Sequence, residues 1–320
     1  MKQRVLFDVQ DLCKYFRQGR KKVVKAVDHV SFQVFEGETL GIVGESGCGK
    51  TTCGRTCIGL YKKTSGQVLY KGCDIHSMSR QEYQEFTKEV QTVFQDPYAA
   101  LNPRMRVEDI IAEGIDIHRM ARDKAERRER VYQLLEMVGL EKEHAKRYIH
   151  EFSGGQRQRI GIARALALDP SCLLCDESVS ALDVSVQAQI LKLLLRLQEE
   201  KGLTYLFITH DLSVVRFISD RLMVMYLGRI AEIGATDEVC VSPAHPYTKL
   251  LLSSVPIPDP EKEKERMQIP VKGELPNSVS PQAGCSFCSR CPYASEKCRT
   301  EEPELQEISS GHFVACHHIQ

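Results

Sequence analysis

"GESGCGKTT", Gly44 to Thr52, follows the apolar run "TLGIV" and leads into a stretch without proline. The nine residues fit G-x-x-x-x-G-K-[ST], and the flanks make them a strand, a loop and a helix in that order. Polyphosphate is a dense anion. Gly44, Gly47 and Gly49, with Ser46 among them, let backbone N–H groups turn inward around such a ligand, and the helix starting near Lys50 adds its positive end. Lys50 is expected to reach the outer phosphates and the Thr51 hydroxyl to complete a Mg²⁺ shell, with Thr52 in the same cradle. The loop therefore predicts an α/β nucleotide-binding core.

A magnesium nucleotide site needs acidic partners at the end of another strand. "CLLCDE" supplies Asp176, placed to hold Mg²⁺ through water, and Glu177 beside it, placed to face the attacking water. A second cradle stands in "FSGGQRQRI", Phe152 to Ile160. Ser153 reads as an N-cap, Gly154 and Gly155 leave N–H groups bare, and Gln156 opens a helix running through Ala167. Two cradles and one nucleotide imply a dimer.

The rest of the chain reads as strands alternating with helices. "SFQVF" and "TLGIVG" read as paired strands, "QTVF" as a short one, and "TYLFITH" and "RLMVMYLG" as buried ones. A helical stretch is expected from about Val107 to Val138, with "RDKAERRER" as its solvated face. "VSVQAQILKLLLRLQEEKG" is an amphipathic helix with Ile190, Leu193, Leu194 and Leu197 on one face. Prolines gather beyond Ser242 and "DPEKEKER" reads as a linker, so a boundary falls near residue 242.

The 320 residues carry 43 basic and 43 acidic side chains. That balance argues against a broad footprint for nucleic acid, and no nucleic-acid partner is expected. No run approaches the roughly 18 apolar residues of a membrane span, and Met1 to Gln10 lacks a signal-type apolar stretch, so a cytoplasmic chain is expected. Of thirteen cysteines, eight are scattered through ordinary elements, while Cys285, Cys288, Cys291, Cys298 and Cys316 crowd the tail. In a reducing compartment such crowding points to metal before disulfides.

With "SGGQ" beside the phosphate loop, the chain resembles ABC-transporter ATPases from its first strand to about residue 240. The resemblance implies a P-loop ABC ATPase core with an antiparallel β subdomain and a helical subdomain at about 96–160, all within 1–241. It also implies that "SGGQ" of one subunit closes over the γ-phosphate of ATP held by its partner. By the same resemblance Gln95 in "VFQDP" senses Mg²⁺ and the attacking water, and Asp183 in "SALD" lies in a loop crossing the dimer interface. His210 in "FITHD" becomes the switch histidine at the γ-phosphate, and Phe16, or else Tyr15, stacks on adenine. One departure stands out: Ser178 follows Glu177 where the family usually has proline, and a looser turn is expected there.

Within the family, "FQDPYAALNPRM", "ALDVSVQAQIL" and "SPAHPYTKLLLSSVPIPDP" are similar to the ATPases of bacterial oligopeptide and dipeptide importers. That branch implies two permease subunits, a second ATPase that is a paralogue or a copy of this chain, and an extracellular peptide-binding protein. The ATPase would sit peripherally on the cytoplasmic face of the cell membrane. Residues 242–320 become a C-terminal extension holding a small Cys-rich domain. Cys285, Cys291, Cys298 and Cys316, with Arg290 and Pro292, fit the branch's tail pattern, which implies a [4Fe–4S] cluster; four thiolates suit structural Zn²⁺ equally. Cys288 is extra to the pattern, and His312, His317 and His318 are competing ligands. Import of nickel or a metal chelate is the alternative cargo, and a non-transport ATPase acting on nucleic acid the remote one.

Overall fold

The computed structural model describes residues 4–19, 22–254 and 284–319. The linker "DPEKEKER" and the end of "SPAHPYTKLLLSSVPIPDP" lie outside the described residues. The chain divides into two compact units, one made of Met1–Ser77 with Ile208–Gln320 and the other of Met78–Phe207.

The first unit begins with β1 (Val5–Gln18), β2 (Lys22–Phe35), β3 (Thr39–Val43), α1 (Lys50–Cys57), β4 (Ser65–Tyr70) and β5 (Cys73–Asp74). β2, β1, β4 and β5 lie side by side as an antiparallel sheet. In β2 Val30, Phe32 and Val34 are buried while Ser31 and Gln33 face out, the period of two expected of a sheet with one wet face. β3 differs, because all five of its residues are buried. The expected pairing of "SFQVF" with "TLGIVG" is therefore corrected: β2 pairs with β1, and β3 runs parallel to β9 (Arg221–Tyr226). A run apolar on both faces belongs in a covered parallel layer, not in a half-exposed hairpin.

The second unit holds α2 (Arg80–Glu89), β6 (Val90–Val93), α3 (Pro97–Ala100), α4 (Val107–Ile117), α5 (Lys124–Met137), α6 (Gly154–Leu166), β7 (Cys172–Asp176), α7 (Val184–Lys201) and β8 (Thr204–Ile208). β6 runs parallel to β7. The helical stretch expected over 107–138 is two helices. Arg119 turns left-handed at φ 54°, and Asp123 restarts the chain by accepting from the N–H groups of Ala125 and Glu126 at 2.8 and 2.9 Å. Arg127, on the charged face, pins the pair together through Asp109 and Asp116 at 3.0 and 2.9 Å. In α7, Ile190, Leu193, Leu194 and Leu197 are buried as their spacing requires, and Gly202 ends the helix at φ 66°.

The chain then completes the first unit with α8 (Leu212–Ile218), β9, β10 (Arg229–Ala235), α9 (Thr236–Val241), α10 (Pro246–Ser253), α11 (Glu296–Thr300), β11 (Gln306–Ser309) and β12 (His312–Val314). β12 adds antiparallel to β10, with Glu232 opposite Val314 and Ile233 opposite Phe313. The tail thus extends the sheet through β10 of the first unit. Its Phe287 is buried in one core with Tyr226, Tyr247, Val224 and Leu222.

Candidate functional site

The loop between β3 and α1 is held by its glycines. Gly44, Gly47 and Gly49 have φ values of 151°, 81° and 104°. A Cβ at Gly44 would sit 2.2 Å from the Met225 carbonyl oxygen, and one at Gly49 would sit 2.1 Å from that of Ala26, so both glycines are fixed by close backbone approach. At Gly47 a Cβ would meet nothing within 4 Å; only its positive φ demands glycine. Lys50 is 4% exposed, and its ammonium donates to the carbonyl oxygens of Gly44 and Glu45 at 2.7 and 3.0 Å. Among the described residues no carboxylate pairs with it. A buried cation resting on neutral carbonyls is costly unless an anion completes its shell, which is what a phosphate does. The loop fits a polyphosphate.

The other expected residues of the first unit lie as follows. Phe16 is 38% exposed, edge-on to Tyr61 at 5.7 Å with the Lys14 ammonium 4.7 Å from its ring centre, while the Tyr15 hydroxyl donates to Asp28. Phe16 keeps an accessible face and Tyr15 is committed elsewhere. His210 is exposed just before Asp211, which caps α8 by accepting from Ser213 N–H at 2.8 Å.

In the second unit Asp176 ends β7 and is 2% exposed. Glu177 turns left-handed at φ 48°, so it is this turn, not strand alternation, that separates the two carboxylates. Gln95 Nε2 donates to Glu177 Oε2 at 2.7 Å, bringing together two residues 82 positions apart. Ser178 is buried. Ser153 caps α6 as expected, with Ser153 Oγ accepting from Gln156 N–H and Gln156 Oε1 from Ser153 N–H, at 3.4 and 3.0 Å. The box leaves the N–H groups of Gly154 and Gly155 outside it, in the first turn where helices have no internal acceptor. A Cβ on Gly155 would meet Val186 Cγ1 at 2.4 Å, so α6 and α7 touch at their starts. Asp183 caps α7 through Val186 N–H at 3.0 Å, and that bond holds its carboxyl below the usual range.

In the tail the cysteine turn is closed by backbone bonds from Cys285 N–H to Cys298 O (2.8 Å), Cys288 N–H to Cys285 O (3.0 Å) and Cys291 N–H to Phe287 O (3.0 Å). Burial pushes the Cys285 thiol up to about 11, and the thiols of Cys298, Cys291 and Cys316 add to the shift; burial likewise raises Cys291 and Cys316. The three histidines named as competing ligands have partners of their own, and His318 stays at the cysteines, its N–H donating to Cys316 Sγ at 3.4 Å. His312 bridges Glu232 and Glu238 at 2.8 and 3.2 Å, His317 bonds the Glu301 carbonyl and His318 the Ser295 hydroxyl, both at 3.0 Å. Sequence reasoning missed Glu45, whose carboxylate takes Arg290 in a two-pronged pair, and Tyr247, whose hydroxyl accepts from Glu45 N–H at 2.9 Å. No local pattern announces partners more than 200 positions apart.

Residues 27–180 match the profile of the ABC transporter family, and residues 231–298 that of the oligopeptide/dipeptide transporter C-terminal region. The chain is 54% identical over 322 residues to the oligopeptide transport ATP-binding protein AppF of Bacillus subtilis (strain 168), covering 98% of each. It is 52% identical over 312 residues to OppF of the same organism, covering 97% of this chain and 96% of that protein. Among solved structures it is similar to MJ0796, described as a bacterial ABC transporter cassette in dimeric form, with a TM-score of 0.66 and 30% identity over 72% of this chain and 98% of that one. The same cassette is solved in a post-hydrolysis state with ADP and Pi. With near-complete coverage at more than half identity, and both halves of the domain pattern present, the chain belongs to the ABC transporter family of ATP-binding proteins, in its oligopeptide and dipeptide branch.

Proposed function

We propose that this chain is the ATP-hydrolysing subunit that powers import of oligopeptides or dipeptides through a membrane permease. The observation that carries the ATPase half is Lys50, a buried ammonium whose partners are two loop carbonyls and the Cys48 sulfur, none of them anionic carboxylates. The peptide half rests on relatives named for oligopeptide transport and on the matching C-terminal region.

Gly44, Ser46, Gly47, Gly49, Lys50, Thr51 and Thr52 would bind the phosphates, with Phe16 on the adenine. Thr51, Gln95 and Asp176 would hold Mg²⁺. Glu177 orients the attacking water, and Lys50 and His210 stabilise the charge that develops on the γ-phosphate. Ser153, Gly154, Gly155, Gln156 and Asp183 act across a dimer, a reading supported by the dimeric state of MJ0796. The second ATPase is a paralogue or another copy, and the assembly includes two permease subunits and an extracellular peptide-binding protein. Among the described residues no helix is long and apolar enough to cross a membrane; by its similarity to importer ATP-binding subunits the chain would sit peripherally on the cytoplasmic face.

Cys285, Cys291, Cys298 and Cys316 would hold a [4Fe–4S] cluster as a structural staple. Burial first, and neighbouring thiols second, raise the proton affinity of Cys285, Cys291 and Cys316, so a cationic centre is what would let these sulfurs bind as thiolates. Four thiolates suit either centre, and it is the similarity of the tail to the branch's cysteine pattern that favours iron–sulfur. Visible absorbance with stoichiometric iron in anaerobically purified protein is expected; a colourless protein with one zinc would reject it.

The transport reading is tested in vesicles carrying the chain with its permeases and sister subunit. Labelled peptide is expected to accumulate only with Mg-ATP and the binding protein present. Accumulation of a nickel chelate with no peptide uptake would replace the cargo.

A further inference from the structure

Glu45 is the second residue of the phosphate loop, yet its carboxylate faces the tail. Arg290 Nη1 and Nη2 donate to Glu45 Oε2 and Oε1 at 2.7 and 3.0 Å, and Arg290 is only 7% exposed. Exposed ion pairs contribute little, but a sheltered two-pronged guanidinium–carboxylate pair is strong and directional. Arg290 is itself fixed by the cysteine turn. Its N–H donates to Phe287 O at 3.0 Å, it stands between Cys288 and Cys291, and its guanidinium lies 5.9 Å from the Tyr226 ring centre and 6.0 Å from that of Phe287.

On the other side, Glu45 is tied into the loop. Its carbonyl accepts from the Lys50 ammonium at 3.0 Å and from Cys48 N–H at 3.2 Å, while its own N–H donates to the buried Tyr247 hydroxyl at 2.9 Å. A continuous set of bonds therefore runs from the cysteine turn through Arg290 and Glu45 to Lys50. Tyr226, Tyr247 and Phe287 pack around it with ring centres 4.6 to 5.4 Å apart, leaving Arg290 little room to move alone.

We propose that the cysteine-bearing tail sets the conformation of the phosphate loop, with Arg290 as a positioning residue acting through Glu45, so that loosening the cysteine turn weakens nucleotide binding. This rests on the ATPase reading above and adds a control element to it. The tail is then more than a staple: damage to its thiols lowers nucleotide affinity at a site that holds none of them.

The test uses the purified full-length chain, titrated with Mg-ATP and Mg-ADP, and follows amide hydrogen exchange across residues 44–52 without nucleotide. Arg290→Gln is expected to raise Kd and KM about tenfold while kcat stays within about twofold, because breaking one partner strands the other charge without touching the reacting atoms. Loop amides should exchange faster, and Arg290→Lys, which keeps the charge but not the fork, should fall between. Glu45→Gln should act in the same direction, and the double variant should be no worse than the worse single, since one pair is broken once. Cys285→Ser should lower affinity and speed loop exchange in the same way.

Unchanged affinity and exchange in Arg290→Gln would overturn the proposal, as would full additivity in the double variant. If Arg290→Gln does not fold, Glu45→Gln decides, and wild-type affinity there overturns it. Wild-type affinity in Cys285→Ser removes the tail from control. A wild-type chain that binds no nucleotide refutes the ATPase reading itself; a binding wild type with indifferent variants refutes the link alone.

Discussion

Glu177 carries the hydrolysis reading at the scale of one side chain. Its φ of 48° places a non-glycine residue in the left-handed region, a conformation costing on the order of 1–3 kcal/mol and tolerated where the surroundings over-determine it. Here the bond from Gln95 holds the carboxylate from the side. Ser178, which lacks the φ lock of a proline, is buried at this turn. Replacing Glu177 by Gln keeps the shape and removes the carboxylate proposed to orient the attacking water. Steady-state hydrolysis is expected to fall by at least about 10²-fold with ATP affinity within about twofold of wild type. Retained turnover in that variant, measured as phosphate release, would refute the role.

At the scale of elements, α10 hangs on a histidine. His245 Nδ1 accepts from Tyr247 N–H at 3.0 Å as the N-cap, and the other ring nitrogen bonds the backbone of Ala315 in the tail. Burial holds its pKa down at about 4, so the folded ring is neutral while the unfolded ring takes a proton near pH 6.5. Between those values the unfolded state binds the extra proton, so stability falls as pH drops, by roughly 1.4 kcal/mol per unit from this site, and levels off below about 4. His245→Asn keeps a capping acceptor and should flatten that slope in urea melts at pH 4.5 to 6.5; an unchanged slope would place the acid sensitivity elsewhere. The cap illustrates what the sequence hides. The strand before the phosphate loop, the Ser153 cap and the buried face of α7 were legible because each is written in neighbours or in a period of 3.6. The capping box Ser79-Arg80-Gln81-Glu82 that starts α2 is equally local. By contrast, the parallel partner of β3, the addition of β12 to β10 and the Arg290–Glu45 pair depend on residues up to 245 positions apart, and no local pattern specifies them.

For the whole molecule, the decisive question is what a second copy or a sister chain does. Each chain carries one phosphate loop and one "SGGQ" helix start, so a single chain offers two anion cradles for one triphosphate. Near the second cradle Val184 is 84% exposed at the start of α7, next to the Asp183 cap and two residues before Val186, which stands against Gly155. An apolar side chain left so open stabilises nothing in the monomer. With 43 basic and 43 acidic residues, no net charge opposes the approach of two such chains, so the γ-phosphate can decide the equilibrium. Closure should then require the triphosphate, since ADP lacks the γ-phosphate that both cradles are proposed to contact. Glu177→Gln, which holds ATP without cutting it, is expected to shift toward dimer in light scattering with saturating Mg-ATP and to return to monomer with Mg-ADP. If the chain pairs only with a paralogue, the same nucleotide dependence appears when the sister subunit and permeases are added. A hydrolysis-deficient chain that stays unpaired in Mg-ATP, both alone and with those partners, would leave the "SGGQ" helix without a phosphate to bind.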